Sequence, residues 1–230
     1  MKIGKNVAML NVPHPAGSSV YPVLTWDSEN LVLIDAGFPE QAELFKSAIA
    51  GEGFDVENLT HIIITHQDLD HVGSLRALLD MASKAKVLVH TDEVPYLDGR
   101  EVPVKLAKAL ANIESMPPEH HESIRARKIF FDDLAANVKF ETVNDRDVLH
   151  ICGGIEIMHT PGHTPGHIVL HLQETGIFVC GDALNIKDGQ VTGPNPIHTQ
   201  DFELATKYYE QIVSYPKSGL VAYHGGILND

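Results

Sequence analysis

Ile62-Ile63-Ile64-Thr65-His66-Gln67-Asp68-Leu69-Asp70-His71 is the stretch from which the fold can be read. The isoleucine run is short, β-branched and wholly apolar, as in a strand buried on both faces. Residues 72–81 follow with Leu75, Leu78 and Leu79 at helical spacing, and residues 87–90 are apolar and strand-like again. This β-α-β alternation predicts an α/β fold. Such folds place their sites at the carboxyl ends of strands, where His66, Asp68, Asp70 and His71 fall. In extended chain, residues two apart share a face, so His66 and Asp68 can grip one cation together. The turn into the helix then carries Asp70 and His71 toward a second point. A polar turn with a helix-capping Asp accounts for any one of these residues, but not for all four.

Outward from this stretch, the N-terminal part is β-rich. Residues 7–12 read as a strand, and 21–26 with 31–34 as a hairpin around Asp27-Ser28-Glu29-Asn30. A helix is expected over 39–50, with Pro39 in its first turn and Gly51 and Gly53 ending it. Residues 102–136 change character: rich in Ala, Leu, Lys and Glu and interrupted by Pro117-Pro118, they predict a helical insertion of two or three helices. Strands are expected at 138–143, 148–151, 155–158, 168–172 and 177–180. A helix over 199–213 and a last strand at 220–223 close the chain, which reads as one domain over 1–230. Residues 31–37 and 177–183 echo one another, each an apolar second strand of a hairpin running into an Asp beside small residues. The echo points to two related β-rich halves.

Composition narrows the function classes. Of 230 residues, 43% are hydrophobic and 21% charged, enough for a substantial core. A formal net charge of −14 repels phosphate backbones and disfavours nucleic acid as a partner. No run of about 18 apolar residues marks a membrane span. The start lacks the pattern of a secretory signal, so the cytosol is the expected compartment. Cys152 and Cys180 are too few for a disulfide framework and sit in apolar surroundings, as buried free thiols do. Histidine stands out, with 14 copies, several of them clustered.

Three further motifs join the first: His159-Thr160-Pro161-Gly162-His163-Thr164-Pro165-Gly166-His167, Cys180-Gly181-Asp182-Ala183, and Ala222-Tyr223-His224-Gly225-Gly226. Prolines stiffen the first of these into a mount for imidazole ligands, although spacing alone does not assign its histidines. The last two place an Asp and a His at strand ends beside glycine. In this order, with Asp35 after the early hairpin, the motifs resemble those of the metallo-β-lactamase superfamily, which includes glyoxalase II and the acyl-homoserine lactonases. The resemblance spans nearly the whole chain and implies a four-layer αβ/βα sandwich with the site at one edge of the two sheets. It implies one divalent metal on His66, Asp68 and His163, a second on Asp70, His71 and His224, and Asp182 bridging them. It makes Asp35, His159 and His167 supporting residues.

One departure matters. The family pattern reads His-x-His-x-Asp-His, and here Asp68 replaces the middle histidine. Carboxylate suits zinc, iron or manganese, so metal binding survives. Three Asp ligands with a bridging hydroxide would balance two dications, where the usual pattern leaves one positive charge. Zinc is the first expectation for the metal pair, with iron or manganese as alternatives; related flavodiiron proteins carry an acidic residue at this position.

The expected activity is a dinuclear hydrolase, in which a metal-bridging hydroxide attacks a small carboxylic ester, lactone or thioester. Asp70 would pass a proton to the leaving group. His14, Tyr21, Asn185, Lys187 and His198 are the loop candidates for the substrate pocket. A glyoxalase II-like hydroxyacylglutathione hydrolase is the alternative within the class, and a di-iron redox protein the alternative outside it. Leu106, Leu110 and Ile113 give the insertion an apolar spacing that suits a cover for the pocket or a homodimer face, although plain packing is the commoner reason for such spacing.

Overall fold

In the computed structural model, which describes residues 1–14 and 17–229, the isoleucine run feeds two separate cores. Ile62 and Ile64 face one and Ile63 the other, as the period-two alternation of a strand requires. All three are fully buried, and each stabilises the fold by about 1.5–3 kcal/mol.

The first half of the chain forms β1 (Lys2–Gly4), β2 (Val7–Met9), β3 (Val12–Pro13), β4 (Ser19–Val20), β5 (Val23–Trp26), β6 (Leu31–Ile34), α1 (Ala42–Gly51), β7 (His61–Ile64), α2 (Leu69–Val72), α3 (Leu75–Met81) and β8 (Lys86–His90). Then come α4 (Val94–Leu97), α5 (Val104–Ala111), α6 (Pro118–Asn137) and β9 (Phe140–Val143). The second half adds β10 (Val148–Leu149), β11 (Ile155–His159), β12 (Ile168–Leu172), β13 (Ile177–Val179), β14 (Asn185–Lys187), β15 (Gln190–Thr192), α7 (Phe202–Ser214), β16 (Gly219–Ala222) and β17 (Gly226–Asn229).

One sheet runs β1-β2-β5-β6-β7-β8-β9 and the other β10-β11-β12-β13-β16-β17. Between them lies an apolar layer in which Val32, Ile34 and Ile63 meet Ile157, Leu170 and Val179. The outer face of the first sheet is covered by α1, α3, α5 and α6 through Phe45, Leu78, Leu106 and Phe131. Phe178 and Leu220 of the second sheet pack on Ile212 of α7. Helix, sheet, sheet and helix form four layers, the expected αβ/βα sandwich. β6 pairs antiparallel with β5 and parallel with β7; β13 pairs antiparallel with β12 and parallel with β16. The two echoing segments thus occupy corresponding places in the two sheets.

Several boundaries differ from expectation. Helix α1 begins at Ala42 rather than residue 39, because Pro39 belongs to a turn in which Gln41 Oε1 accepts from Phe38 N at 2.8 Å. The helix expected over 72–81 begins at Leu75 as α3, and Val72 instead ends the separate short helix α2. At the break, Gly73 N and Ser74 N donate to Gly37 O and Ala36 O rather than to their own helix. The segment expected as a helical insertion holds α5 and α6, parted at Pro117-Pro118. The ribbon β14–β15 and the strands β1 and β17 were not expected; their apolar runs are too short to show period two. Cys152 and Cys180 are buried and unpaired, and no helix among the described residues is long and apolar enough to cross a membrane.

Candidate metal centre

The ends of β6, β7, β13 and β16 lie along one edge of the two sheets and deliver Asp35, His66, Asp182 and His224. Local backbone makes this delivery specific. Asp35 takes a left-handed φ of 66°, which Asp tolerates. Gly181 has φ +50°, and a Cβ there would lie 2.8 Å from His167 Nε2 and 3.0 Å from Thr65 Oγ1. Only glycine allows Asp182 to sit so close to the His167 ring.

The seven side chains of the sequence motifs converge in two groups. In the first, His66 Nε2 and His163 Nε2 lie 3.1 and 2.9 Å from the same oxygen, Asp68 Oδ2. In the second, His224 Nε2 lies 3.0 Å and His71 Nε2 3.8 Å from Asp70 Oδ2. Asp182 stands between them: Oδ1 is 3.3 Å from His71 Nε2 and 3.4 Å from His224 Nε2, and Oδ2 is 3.5 Å from His163 Nε2. The sets His66, Asp68, His163, Asp182 and Asp70, His71, His224 each bring their donor atoms within 4.8 Å of one another.

A buried layer of partners fixes these rings. Asp35 accepts from Thr65 N at 2.8 Å and from His71 Nδ1 at 2.9 Å, which turns His71 Nε2 toward Asp70 and Asp182. His167 Nε2 accepts from Asp182 N at 3.1 Å, so its proton sits on Nδ1, facing Thr160 Oγ1 at 2.8 Å. His159 stacks on His90 with ring centroids 3.9 Å apart and donates from Nε2 to Pro165 O, bracing the loop that carries His163. With Asp92 these two rings make a third donor group, apart from the other two.

Four supporting residues escaped the sequence reading. Glu93 accepts from Gln67 N and Nε2, Thr164 Oγ1 and Gly166 N, joining the loop of His66 and Asp68 to the loop of His163. Tyr223 donates to Asp70 O at 2.7 Å and lies against the His71 ring. Lys105, from the first turn of α5, donates to Asp68 Oδ2. Gln67 lies between the motif residues, but its partners lie elsewhere in the sequence.

The electrostatics call for positive charge. Burial opposes the charge on Asp68, yet His66, His163 and Lys105 hold its carboxyl well below the usual range. Asp182 is held well down in the same way by His71, His163 and His224. Burial also opposes a charge on His71, but Asp35, Asp70 and Asp182 outweigh it and push its pKa well above the ordinary value. His66 goes the other way, to about 4, through burial and the neighbouring His71. The carboxylates of Asp35, Asp70 and Asp182 thus draw a proton onto His71. His71 Nε2 and Asp182 Oδ1, buried and 3.3 Å apart, still have no hydrogen-bond partner. A divalent cation satisfies both atoms at once, and nitrogen and carboxylate donors suit zinc, iron or manganese.

A cavity of about 590 Å³ opens over Asp70, His163, Asp182 and His224. Of the five pocket candidates, Asn185 and His198 line it. His14 lies against the lining residue Phe38 with ring centroids 4.2 Å apart, Tyr21 packs into the layer between the sheets, and Lys187 is exposed on β14. His14 and Tyr21 lie just past the ends of β3 and β4, and none of the three is among the residues that line the cavity.

A family model described as the metallo-beta-lactamase superfamily matches residues 16–224. The chain is 29% identical over 218 residues to the probable metallo-hydrolase YflN of Bacillus subtilis (strain 168), an alignment taking in 86% of this chain and 76% of that protein. Among solved structures, a metallo-beta-lactamase family protein from Thermus thermophilus superposes with a TM-score of 0.76 at 20% identity, covering 98% of this chain and 75% of that one. AidC, a dizinc quorum-quenching lactonase solved with a homoserine product, gives 0.68 at 17% identity, covering 91% and 74%. At such identities the structural matches establish the fold.

Proposed function

Because the chain belongs to the metallo-beta-lactamase superfamily, we propose that this metallo-hydrolase is dinuclear and cleaves a small carboxylic ester, lactone or thioester. The observation that carries the reading is Asp182, whose two oxygens face both donor groups at the floor of one cavity. His66, Asp68 and His163 would hold one cation, Asp70, His71 and His224 the other, and Asp182 would serve both. Bound there, two divalent cations supply a Lewis acid for an acyl carbonyl and lower the pKa of water to near neutrality.

The chain's own residues do the rest. Asp70 is half-buried at the cavity wall, where its carboxylate can take a proton and hand it to a leaving oxygen or sulfur. Phe38 and Leu184 give the wall an apolar side for an acyl chain, and Asn185 and Asn195 offer amide hydrogen bonds. The lactonase activity named for AidC makes a lactone the first substrate to try. A glutathione thioester carries two carboxylates, and the lining holds one lysine to meet them. The unpaired thiols suit a reducing compartment, and the cytosol is the proposed one.

Elemental analysis and a panel of esters, lactones and thioesters test the reading together. Close to two metals per chain are expected, and Asp182→Ala or His66→Ala should lower both metal content and turnover, by at least about tenfold in turnover. Full turnover by a variant stripped of metal sinks the mechanism. Iron with oxygen consumption and no hydrolysis would move the chain to the redox class.

A further inference from the structure

We propose that Lys105 is a resident cation of the site, whose charge offsets the carboxylate of Asp68 and sets how tightly the His66–Asp68–His163–Asp182 group holds a divalent cation. The proposal rests on the metal-centre reading above. Three donors converge on Asp68 Oδ2: His66 Nε2 at 3.1 Å, His163 Nε2 at 2.9 Å, and Lys105 Nζ in direct contact. Lys105 Nζ also lies 3.4 Å from His163 Nε2. The ammonium therefore occupies the same carboxylate that a cation would take.

Its position is built rather than incidental. Val104 N donates to Gln67 Oε1 at 2.7 Å, and Gln67 Nε2 donates to the buried Glu93 at 2.8 Å. Gln67 is 1% exposed, so α5 starts from a fixed point between His66 and Asp68. Of the residues lining the cavity, Lys105 is the only lysine or arginine.

The charge balance explains why such a group is useful here. With histidine at position 68 the ligand set would hold one negative charge fewer. Asp68 adds that charge, and Lys105 returns it from outside the ligand set, so the pair has the net charge of a neutral imidazole. The Lys105 side chain is 40% exposed, which leaves it room to withdraw into the cavity when a cation arrives. Competing for Asp68 or standing beside the cation, its charge opposes metal binding in both cases.

The test is the dissociation constant for Mn²⁺, read by competition with a chelator, alongside the rise in Tm when Mn²⁺ is added. Lys105→Met should tighten Mn²⁺ on the order of tenfold and enlarge the Tm shift, while Lys105→Arg keeps the charge and stays within about threefold of wild type. Asp68→His leaves Lys105 unpaired and should weaken Mn²⁺, and adding Lys105→Met to that variant should restore affinity toward wild type. A purely structural role predicts no such restoration. Unchanged or weaker affinity in Lys105→Met, with wild type binding normally, overturns the proposal and leaves the metal centre standing. The same holds if the variant alters only KM for anionic substrates, which would make Lys105 a substrate contact. Wild type that binds no Mn²⁺ or Zn²⁺ overturns both.

Discussion

Glu93 has no contact with solvent, and every hydrogen bond its carboxylate receives comes from the loops that carry the candidate ligands. Burial pushes its carboxyl up to about 7, against the pull of Thr164, Gln67 and Gly166. A carboxyl whose folded pKa exceeds its unfolded one costs nothing below the unfolded value near 4.5, then destabilises the fold increasingly until pH passes the folded value. The full cost is about 3 kcal/mol. Glu93→Gln is neutral throughout and should lack this loss. Denaturant unfolding of the metal-free proteins should show wild type losing stability relative to the variant between pH 4.5 and 7; parallel profiles would refute the assignment. Glu93 also marks the limit of legibility at this scale. His66, Asp68, Asp70 and His71 were readable because metal-ligand types are rare at such spacing, whereas His163, Asp182 and His224 were singled out only by the family resemblance. Asp92-Glu93 looks like any solvated loop, and its role arises from partners as far away as Thr164 and Gly166.

Most of the longer helices were legible from apolar spacing, composition or Pro and Gly punctuation, but the short α4 and the interruptions were not. Leu75, Leu78 and Leu79 read as one helix over 72–81, yet the chain breaks at Gly73-Ser74, because the loop after β6 supplies the acceptors there. Nothing local announces a break whose cause lies as far back as Ala36 and Gly37. The consequence is testable through glycine. A Cβ at Gly73 would lie 2.2 Å from Pro39 N and 2.3 Å from Phe38 C, which are backbone atoms with little room to give. Gly73→Ala should destabilise by about 1–3 kcal/mol. It should also reduce metal content, since the displaced loop carries Asp35 at one end and packs on α2, which holds Asp70 and His71. Gly51, in the last turn of α1 with open space around its Cα, is the control: Gly51→Ala should stabilise by about 0.5–1 kcal/mol. Thermal melts that rank the two variants the other way would show that the contact at Gly73 relaxes freely. The strand echo, by contrast, was legible and informative, since β6 and β13 occupy corresponding positions and Asp35 and Asp182 follow them.

Across the whole molecule, the candidate ligands are divided between the halves. His66 and Asp68 come from the loop after β7 and Asp70 and His71 from α2, in the first half, and His163, Asp182 and His224 come from loops of the second sheet. Cations bound among them would tie the two sheets together at one edge, where the apolar layer between them ends. They would also neutralise buried carboxylates in a chain whose formal net charge is already −14. Metal loss should therefore loosen the whole sandwich rather than one loop. A ligand present at about a thousand times its Kd stabilises by about 4 kcal/mol, and for a chain of this size each kcal/mol moves Tm by about 2–4 °C. Removing metal with a chelator should accordingly lower Tm by about 8–16 °C in one cooperative transition, and adding zinc or manganese should restore it. Asp182→Ala, which removes the carboxylate facing both groups, should abolish most of that restoration while Asp182→Glu keeps part of it. A chelator-treated protein that melts in two steps would mean that the sheets are held independently and that the metals brace only one of them.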